Sequence, residues 1–275
     1  ILRDSQRLIE RYHDSEPGSM CQIALAPCSP FSVSADLLEQ TALLAREYGV
    51  RLHTHLAETL DEERFCIEAV GMRPLAYMES LGWLGPDVWY AHGIHFSDEE
   101  INLLAQTRTG VAHCPTSNEK LCSGRALIER LLHAGVPVGL AVDGSASNDC
   151  SSMLAEIRTA YLLHRMAMGN QAPTPADILE LATKGGARLI GRPDLGSIEE
   201  GKAADMFLVN ADTLEWVGAD FDPASAPATI GLHRPVDYTI VAGRIVVKDG
   251  RLVNIDETAV ARKARELSRR LCSGR

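Results

Sequence analysis

The sequence predicts an α/β protein, built as a TIM-type (β/α)8 barrel that is followed by a small β module. Short apolar segments alternate with longer segments of helical period, which indicates a parallel sheet. The starts of the five predicted strands are spaced by 28, 38, 22 and 26 residues, close to the roughly 31 residues per unit of an eight-unit barrel. Polar residues also crowd the end of almost every strand, which favours a barrel over an open sheet.

The barrel part is predicted from strand and helix patterns in strict alternation. The predicted strands are Gln22–Ala26, Val50–Leu56, Val88–Ala91, Gly110–His113 and Val136–Val142. The predicted helices between them are Ala35–Tyr48, Leu60–Val70, Pro74–Leu81, Asp98–Gln106 and Ala126–Ala134. A further helix runs toward Tyr12 from Ile1, where no initiator Met stands. We therefore expect the chain to be a fragment of a longer protein.

After two more predicted helices, Met153–Met168 and Pro175–Leu189, the pattern becomes rich in turns and β-branched residues. Three segments alternate apolar and polar residues, with turns at Gly243 and at Asp249-Gly250; they are Ala204–Asn210, Tyr238–Val241 and Arg244–Val247. We expect an irregular loop at Pro223–Ala228 and a last helix at Thr258–Leu271. The predicted domains are a barrel over residues 1–195 and a β module with a C-terminal helix over residues 196–275.

Composition excludes several classes of function. The 275 residues carry 27 basic and 37 acidic side chains, a net charge of −10. This charge disfavours nucleic acid and anionic membranes as partners. The longest apolar run, Val136–Val142, contains a proline and a glycine and is far too short to span a bilayer. Seven scattered cysteines without a CxxC pair or a secretory leader predict a reduced, cytoplasmic protein.

The densest chemical signal is the segment His53-Thr54-His55, with Glu58 following the predicted strand. Alternate residues of a strand share a face, so the two imidazoles point the same way. Imidazole is the commonest metal ligand, and a carboxylate three residues beyond it is placed to exchange a proton with water at the metal. Two histidines satisfied within a core are the alternative reading.

Two further strand ends carry matching groups, His92 in Tyr90-Ala91-His92-Gly93 and Asp143 before Gly144. Singly, each is weak evidence, because an Asp-Gly pair is often only a turn. Together with His55 and Glu58 they are typical of a mononuclear hydrolytic metal centre. His55 and Asp143 are 88 residues apart, about three units of roughly 31. This spacing places His55 on strand five and Asp143 on strand eight, so strands one to three are absent from the chain.

These motifs resemble the amidohydrolase superfamily, in its cytosine deaminase-like branch of heteroaromatic deaminases and triazine hydrolases. The resemblance rests on order and spacing along essentially the whole chain. The segments that carry it are Pro27–Pro30, His55-x-x-Glu58, Ala91–Gly93, His113–Asn118, Val142–Asn148, Ala182–Ala187 and Gly196–Asp205. Three stretches are most similar to members of the branch that deaminate 8-oxoguanine, namely Ala26–Ser34, His53–Glu63 and Gly71–Pro74.

The resemblance implies a metal-dependent hydrolase barrel with half of a β-sandwich at its C-terminus. It implies His55 and Asp143 as zinc ligands, Glu58 and His92 as proton-transfer residues, and Asp143 also as the acceptor of a proton from the attacking water. Iron(II) is an alternative metal, because it accepts the same ligand atoms. Two further ligands of the family, a His-x-His on strand one, are not in this chain, so we expect the chain alone to hold metal weakly.

The resemblance further implies hydrolytic deamination of a small amino-substituted heterocycle, with 8-oxoguanine converted to urate and ammonia. A triazine or another purine or pterin is the alternative substrate, and a metal-free pseudoenzyme or assembly subunit is the non-enzymatic alternative. Substrate contacts are assigned to His113 and Cys114 at the end of the predicted strand Gly110–His113, and to Ser117 and Asn118 in the loop above the pocket; a structural role is the alternative for all four. Base rates alone favour a homo-oligomer.

Two other interpretations of the site are weaker, and the remaining histidines show no pattern of metal ligands. Zinc deaminases of a different type need an HxE motif followed by PCxxC, and this sequence has neither. A cysteine nucleophile at Cys28 or Cys114 lacks an activating base fixed by the sequence. The remaining histidines follow no ligand spacing and are expected to have packing or solvent roles; they are His13, His95, His133, His164 and His233.

Overall fold

Five parallel strands, paired in chain order, form the first sheet of the computed structural model, which describes residues 1–232 and 234–274. The strands are β1 (Ala24–Leu25), β2 (Arg51–Leu56), β3 (Val88–His92), β4 (Gly110–His113) and β5 (Val138–Leu140). All five predicted strands are present, although β1 and β5 are shorter than predicted. The predicted α/β class with a parallel sheet is therefore confirmed.

Helices follow the strands, and their ends match the sequence best where a cap fixes them. The helices are α1 (Leu2–Tyr12), α2 (Ala35–Tyr48), α3 (Leu60–Val70), α4 (Pro74–Ser80), α5 (Asp98–Thr107), α6 (Pro115–Lys120), α7 (Ile128–Ala134), α8 (Ser145–Asn148), α9 (Met153–Met168), α10 (Pro175–Glu180), α11 (Gly186–Leu189), α12 (Ala226–Thr229) and α13 (Glu257–Cys272). Helix α2 begins where the Ser34 side chain accepts from the Leu37 amide, and ends at Gly49 with a left-handed φ of 65°.

The two faces of the parallel sheet differ in what they touch. Thr54, Tyr90, Val111 and Val138 form one row across β2 to β5, and all four are buried in the layer covered by the helices. The neighbouring row, which begins at His55, continues through three small residues; they are Ala91, Ala112 and Gly139. His55 therefore lies on the face opposite the row of Thr54 and Tyr90, and α11 approaches the face of His55 at Gly139.

The predicted helix Pro175–Leu189 is divided in the structure. A π-helical turn, Leu181–Gly185, separates α10 from α11. A side chain added to Gly185 would collide with the Val138 carbonyl, and one added to Gly139 would meet the Gly186 amide nitrogen at 3.0 Å. The helix backbone thus packs directly on β5, and this close approach explains why glycine stands at these positions.

The C-terminal part contains a four-stranded antiparallel sheet in chain order. Its strands are β6 (Met206–Leu208), β7 (Tyr238–Val241), β8 (Arg244–Lys248) and β9 (Arg251–Leu252), of which β9 was not predicted. Both predicted turns are present, and Gly243 and Gly250 have left-handed φ values of 74° and 73°. The loop predicted at Pro223–Ala228 is partly wrong, because Ala226–Thr229 forms α12 against α9.

Two short 3-10 turns, Gly169–Gln171 and Leu214–Trp216, complete the secondary structure of the described residues. None of the described helices is both long and apolar enough to cross a membrane.

Candidate active site

Four side chains from three strand ends converge at the carboxyl edge of the parallel sheet. His55 comes from β2, Glu58 follows that strand, His92 ends β3, and Asp143 follows β5. The His55 Nε2 atom lies 3.8 Å from Asp143 Oδ1, and His92 Nε2 lies 3.6 Å from Glu58 Oε2 and 4.0 Å from Asp143 Oδ2. The four residues singled out at the strand ends in the sequence thus surround one small volume.

The backbone bends sharply where it leaves each of these strands. Ala57, His92 and Asp143 have left-handed φ values of 53°, 73° and 61°, a conformation that costs a residue with a Cβ about 1 kcal/mol or more. Gly93 is also left-handed, and a Cβ there would lie 2.8 Å from Val111 Cγ1. Strain concentrated at three strand ends on one edge of a sheet is typical of a functional site.

A hydrogen bond from Nδ1 fixes the orientation of the His55 ring. Its Nδ1 atom lies 2.6 Å from the Cys28 carbonyl oxygen. A carbonyl only accepts, so Nδ1 carries a proton, and Nε2 is the ring nitrogen that faces Asp143. This is the arrangement in which a neutral imidazole binds a metal ion.

His92 is buried and held from behind in the same manner. Its Nδ1 atom lies 2.8 Å from Asn118 Oδ1, and its ring stacks on that of His55 with centroids 5.4 Å apart. With Asn118 accepting from Nδ1, His92 directs Nε2 at the two carboxylates. Asn118 Nδ2 is buried without a hydrogen-bond partner among the described residues.

Asp143 is held as an anion by two serine hydroxyls. Ser117 and Ser147 donate to its Oδ2 atom at 2.5 and 2.8 Å. Burial raises the pKa of Asp143, but these hydroxyls and the Gly144 amide lower it more, so that the pKa lies below its ordinary value. Because Oδ2 is occupied by the serines, Oδ1 is the oxygen that faces His55.

Glu58 accepts one hydrogen bond with its carboxylate and faces an imidazole with its other oxygen. The Ser123 hydroxyl donates to Oε1 at 3.2 Å, while Oε2 faces His92. The side chain remains partly exposed. A carboxyl group in contact with solvent on one side and with an imidazole on the other is well placed to exchange a proton.

Ligand atoms of His55, His92 and Asp143 all lie within 4.8 Å of one another. Two imidazole nitrogens and a carboxylate oxygen are ligands that zinc binds at about 2 Å, and they suit catalytic sites with an open position. The donor chemistry therefore fits a divalent metal ion. Geometry also brings His92 into the candidate ligand group, whereas the sequence interpretation gave it only a proton-transfer role.

The segment from the end of β4 into α6 places the four predicted contact residues differently. Ser117 and Asn118 hold Asp143 and His92, as described above. His113 is fully buried on the helix-packed face, where its Nε2 atom lies 3.2 Å from His164 Nε2 on α9. Cys114 is also buried, and this burial raises the pKa of its thiol far above the ordinary value, so the thiol is a poor nucleophile.

His53 shares the face of His55 but makes a different contact. Its ring stacks on Trp89 with centroids 4.9 Å apart, and burial lowers its pKa to about 4, so it is neutral. Of the histidines expected to have packing or solvent roles, His164 is buried beside Arg125 and Glu129. His233 lies outside the described residues.

The buried His164 predicts a pH-dependent stability. Burial first, and Arg125 second, lower its pKa from 6.5 to about 4. In the unfolded chain His164 takes up a proton as the pH falls through 6.5, whereas in the folded chain it does so only near pH 4. The free energy of unfolding therefore decreases as the pH falls between these two values. When the pH is lowered from 7 to 5, the free energy of unfolding of the wild type should decrease by roughly 2 kcal/mol more than that of His164→Gln. Urea unfolding at the two pH values would measure this difference. Equal losses would contradict this origin.

The sequence interpretation missed several residues that support the site. Ser147 follows Asp143 in the quoted Val142–Asn148 motif, but a serine in a turn carries no signal of its own. Ser123 is 65 residues away from Glu58 in the sequence, and Glu62 lies inside helix α3. Only the fold shows that both residues contact Glu58.

Known proteins align with this chain along its whole length, among them two Pseudomonas proteins. It is 47% identical over 274 residues to an 8-oxoguanine deaminase of Pseudomonas aeruginosa, covering 100% of this chain and 61% of that protein. It is 43% identical over 277 residues to a hydroxydechloroatrazine ethylaminohydrolase of Pseudomonas sp. strain ADP, covering 100% of this chain and 57% of that protein. The chain thus spans about three-fifths of the length of these relatives.

A solved structure shares the fold. The atrazine chlorohydrolase of Arthrobacter aurescens TC1, complexed with zinc, superposes with a TM-score of 0.93 at 35% identity, covering 97% of this chain and 59% of that one. This likeness and the parallel sheet fit an α/β hydrolase of the TIM type. The model of the amidohydrolase family matches residues 2–246. Sequence match, fold and strand-end site agree, and the chain belongs to the amidohydrolase family.

Proposed function

We propose that this protein is a metal-dependent deaminase of a small amino-substituted heterocycle, with 8-oxoguanine as substrate and urate and ammonia as products. The observation that carries the reaction type is the convergence of His55, Glu58, His92 and Asp143 at three strand ends. The choice of substrate is supported by the relative named an 8-oxoguanine deaminase, at 47% identity.

The metal that the site fits best is zinc, with iron(II) as the alternative. His55 Nε2 and Asp143 Oδ1 would hold it, and His92 lies within reach as a third group. A bound zinc ion lowers the pKa of water towards 7 and so supplies the nucleophile at neutral pH. The zinc-complexed atrazine chlorohydrolase of the same fold supports this assignment.

The side chains of this site would divide the proton transfers between them. Asp143, kept anionic by Ser117 and Ser147, takes a proton from the attacking water. Glu58 delivers a proton to the ring nitrogen beside the amino-bearing carbon, and His92 Nε2 orients the attacking oxygen. A C–O bond forms at the amino-bearing carbon. Asp143 then returns its proton to the amino nitrogen, the C–N bond breaks and ammonia leaves, and the proton of the new hydroxyl returns to Glu58 as the carbonyl forms.

The experiment that tests this function is a measurement of ammonia release by the full-length protein with added zinc. We expect turnover of 8-oxoguanine to exceed that of guanine, isoxanthopterin, cytosine and aminotriazines. A preference for an aminotriazine would favour the second candidate, which the 43% identity to a triazine aminohydrolase supports. No turnover of any of these compounds would leave the pseudoenzyme reading.

Further features of the protein remain proposals. The four-stranded sheet within residues 196–275 would be half of a β-sandwich beside the barrel unit of residues 1–195. The described cysteines are all free thiols, which supports a cytoplasmic, reducing location. A homo-oligomer is proposed on base rates, and size-exclusion chromatography with light scattering would measure it.

A further inference from the structure

Glu62 is a buried carboxylate in the first turn of α3, only 3% exposed. A buried charge is costly unless hydrogen bonds or an opposite charge compensate it. No basic side chain forms a salt bridge with it anywhere in the described ranges, 1–232 and 234–274. Burial raises its pKa to about 7. Because burial of this carboxylate is unfavourable, the groups that it binds must compensate for the cost.

Its two carboxylate oxygens bind two consecutive backbone amides. Oε1 accepts from the Ala57 amide at 2.9 Å, and Oε2 accepts from the Glu58 amide at 3.0 Å. Thr59 anchors Glu62 in turn, because its hydroxyl oxygen accepts from the Glu62 amide at the start of the helix. The carboxylate therefore grips the segment between β2 and α3.

This segment is the strained turn that carries Glu58. Ala57 has a left-handed φ of 53°, which an alanine adopts only when its surroundings enforce it. On the other side of the turn, the Ala57 carbonyl accepts from the amides of Ile94 and His95 at 2.8 and 2.9 Å. Glu62 and the loop after β3 thus hold one peptide unit from opposite sides.

The direction of the Glu58 side chain depends on this peptide unit. From it, Glu58 reaches the Ser123 hydroxyl with Oε1 and faces His92 Nε2 with Oε2. If the turn relaxed to an ordinary conformation, the carboxylate would leave both neighbours. A displacement of about 1 Å at a reacting group can cost about 100-fold in rate.

We propose that Glu62 is the positioning residue for Glu58, because its carboxylate fixes the 57–58 backbone in the conformation that aims Glu58 at the reaction centre. This inference rests on the proposed deaminase function, since it concerns the proton-transfer residue of the same site. Glu62 touches neither substrate nor metal in this account and acts only through the backbone.

The test compares Glu62→Gln with Glu63→Gln in the full-length protein. A glutamine offers one acceptor oxygen, and its amide group would face an amide donor, so it can hold only one of the two backbone groups. Glu63 is the matched control, because it is the next residue of the same helical turn and pairs with Arg73 instead. For Glu62→Gln we expect kcat to fall about 10- to 100-fold, with KM and the zinc Kd within about threefold of the wild type. The control should keep its wild-type kcat.

A second readout does not depend on turnover. Amide hydrogen exchange at Ala57 and Glu58, followed by NMR, should be slow in the wild type and in Glu63→Gln and at least about tenfold faster in Glu62→Gln. If Glu62→Gln fails to fold, Glu62→Asp serves instead: its carboxylate keeps the charge but is too short to reach both amides, so its kcat should still fall.

Each outcome bears on the proposal. A wild-type kcat in Glu62→Gln or in Glu62→Asp would overturn it, and so would losses in kcat, KM and zinc affinity of similar size, which indicate general disorder. Exchange in the wild type as fast as in an exposed loop would overturn it as well. An inactive wild type would remove the deaminase function and this role together, whereas an active wild type with an unaffected variant removes only the role of Glu62.

Discussion

Replacing Glu58 by glutamine should lower kcat for the heterocyclic substrate by at least about 1,000-fold, within the range that general acid–base groups contribute. Glutamine keeps the shape and the hydrogen bond from Ser123 to Oε1, but it cannot deliver a proton to the ring nitrogen. Zinc binding should be unchanged, because Glu58 is not among the grouped ligand atoms. Steady-state kinetics and a zinc titration of the purified variant would measure both quantities.

Glu68→Gln is the control for this variant, because Glu68 is an exposed glutamate on α3 with no part in the site. It should match the wild type in both measurements. Turnover of Glu58→Gln close to that of the wild type would remove Glu58 from the proton transfers. Loss of zinc binding together with turnover would instead make Glu58 a ligand.

Asp143→Asn should weaken zinc binding by at least about 100-fold, a loss larger than that usually caused by changing a residue behind a ligand. Asparagine still fills the space and can accept from Ser117 or Ser147, but its oxygen carries no negative charge. The same change removes the acceptor for the proton of the attacking water. We therefore expect turnover to be lost even when zinc is supplied in excess, as a titration and an ammonia assay would show.

Asp149→Asn provides the comparison, since Asp149 follows α8 in the same connection between β5 and α9 but is exposed and pairs with Lys120. Its zinc affinity and its turnover should remain close to those of the wild type. If Asp143→Asn binds zinc as tightly as Asp149→Asn does, the carboxylate of residue 143 is not a ligand and the account of the site is wrong.

Local signals predicted the fold where they were strong. Helix α2 has its predicted ends, Ala35–Tyr48, because a serine cap and a left-handed glycine fix them. Strand β4 also has its predicted ends, Gly110–His113. By contrast, the π turn at Leu181–Gly185 depends on how closely the helix approaches β5. The residue pattern of the helix does not indicate how closely its backbone packs on β5.

The site could be predicted as a set of strand-end residues but not as a set of contacts. The residue spacing predicted which strands carry His55 and Asp143. In the structure, His55 Nε2 lies 3.8 Å from Asp143 Oδ1. The orientation of His113 was not predictable, since it depends on the partner His164 that α9 brings to it. The role of Glu62 depends on the left-handed conformation of Ala57. Alanine does not favour this conformation, so the sequence did not indicate it.

The most direct test is a crystal structure of the zinc-soaked full-length protein, with anomalous scattering recorded at the zinc edge. We expect one zinc ion, with His55 Nε2 and a carboxylate oxygen of Asp143 both at about 2.0–2.2 Å from it. An ion bound by only one of these two groups, or no ion near either of them at saturating zinc, would contradict the proposed metal site.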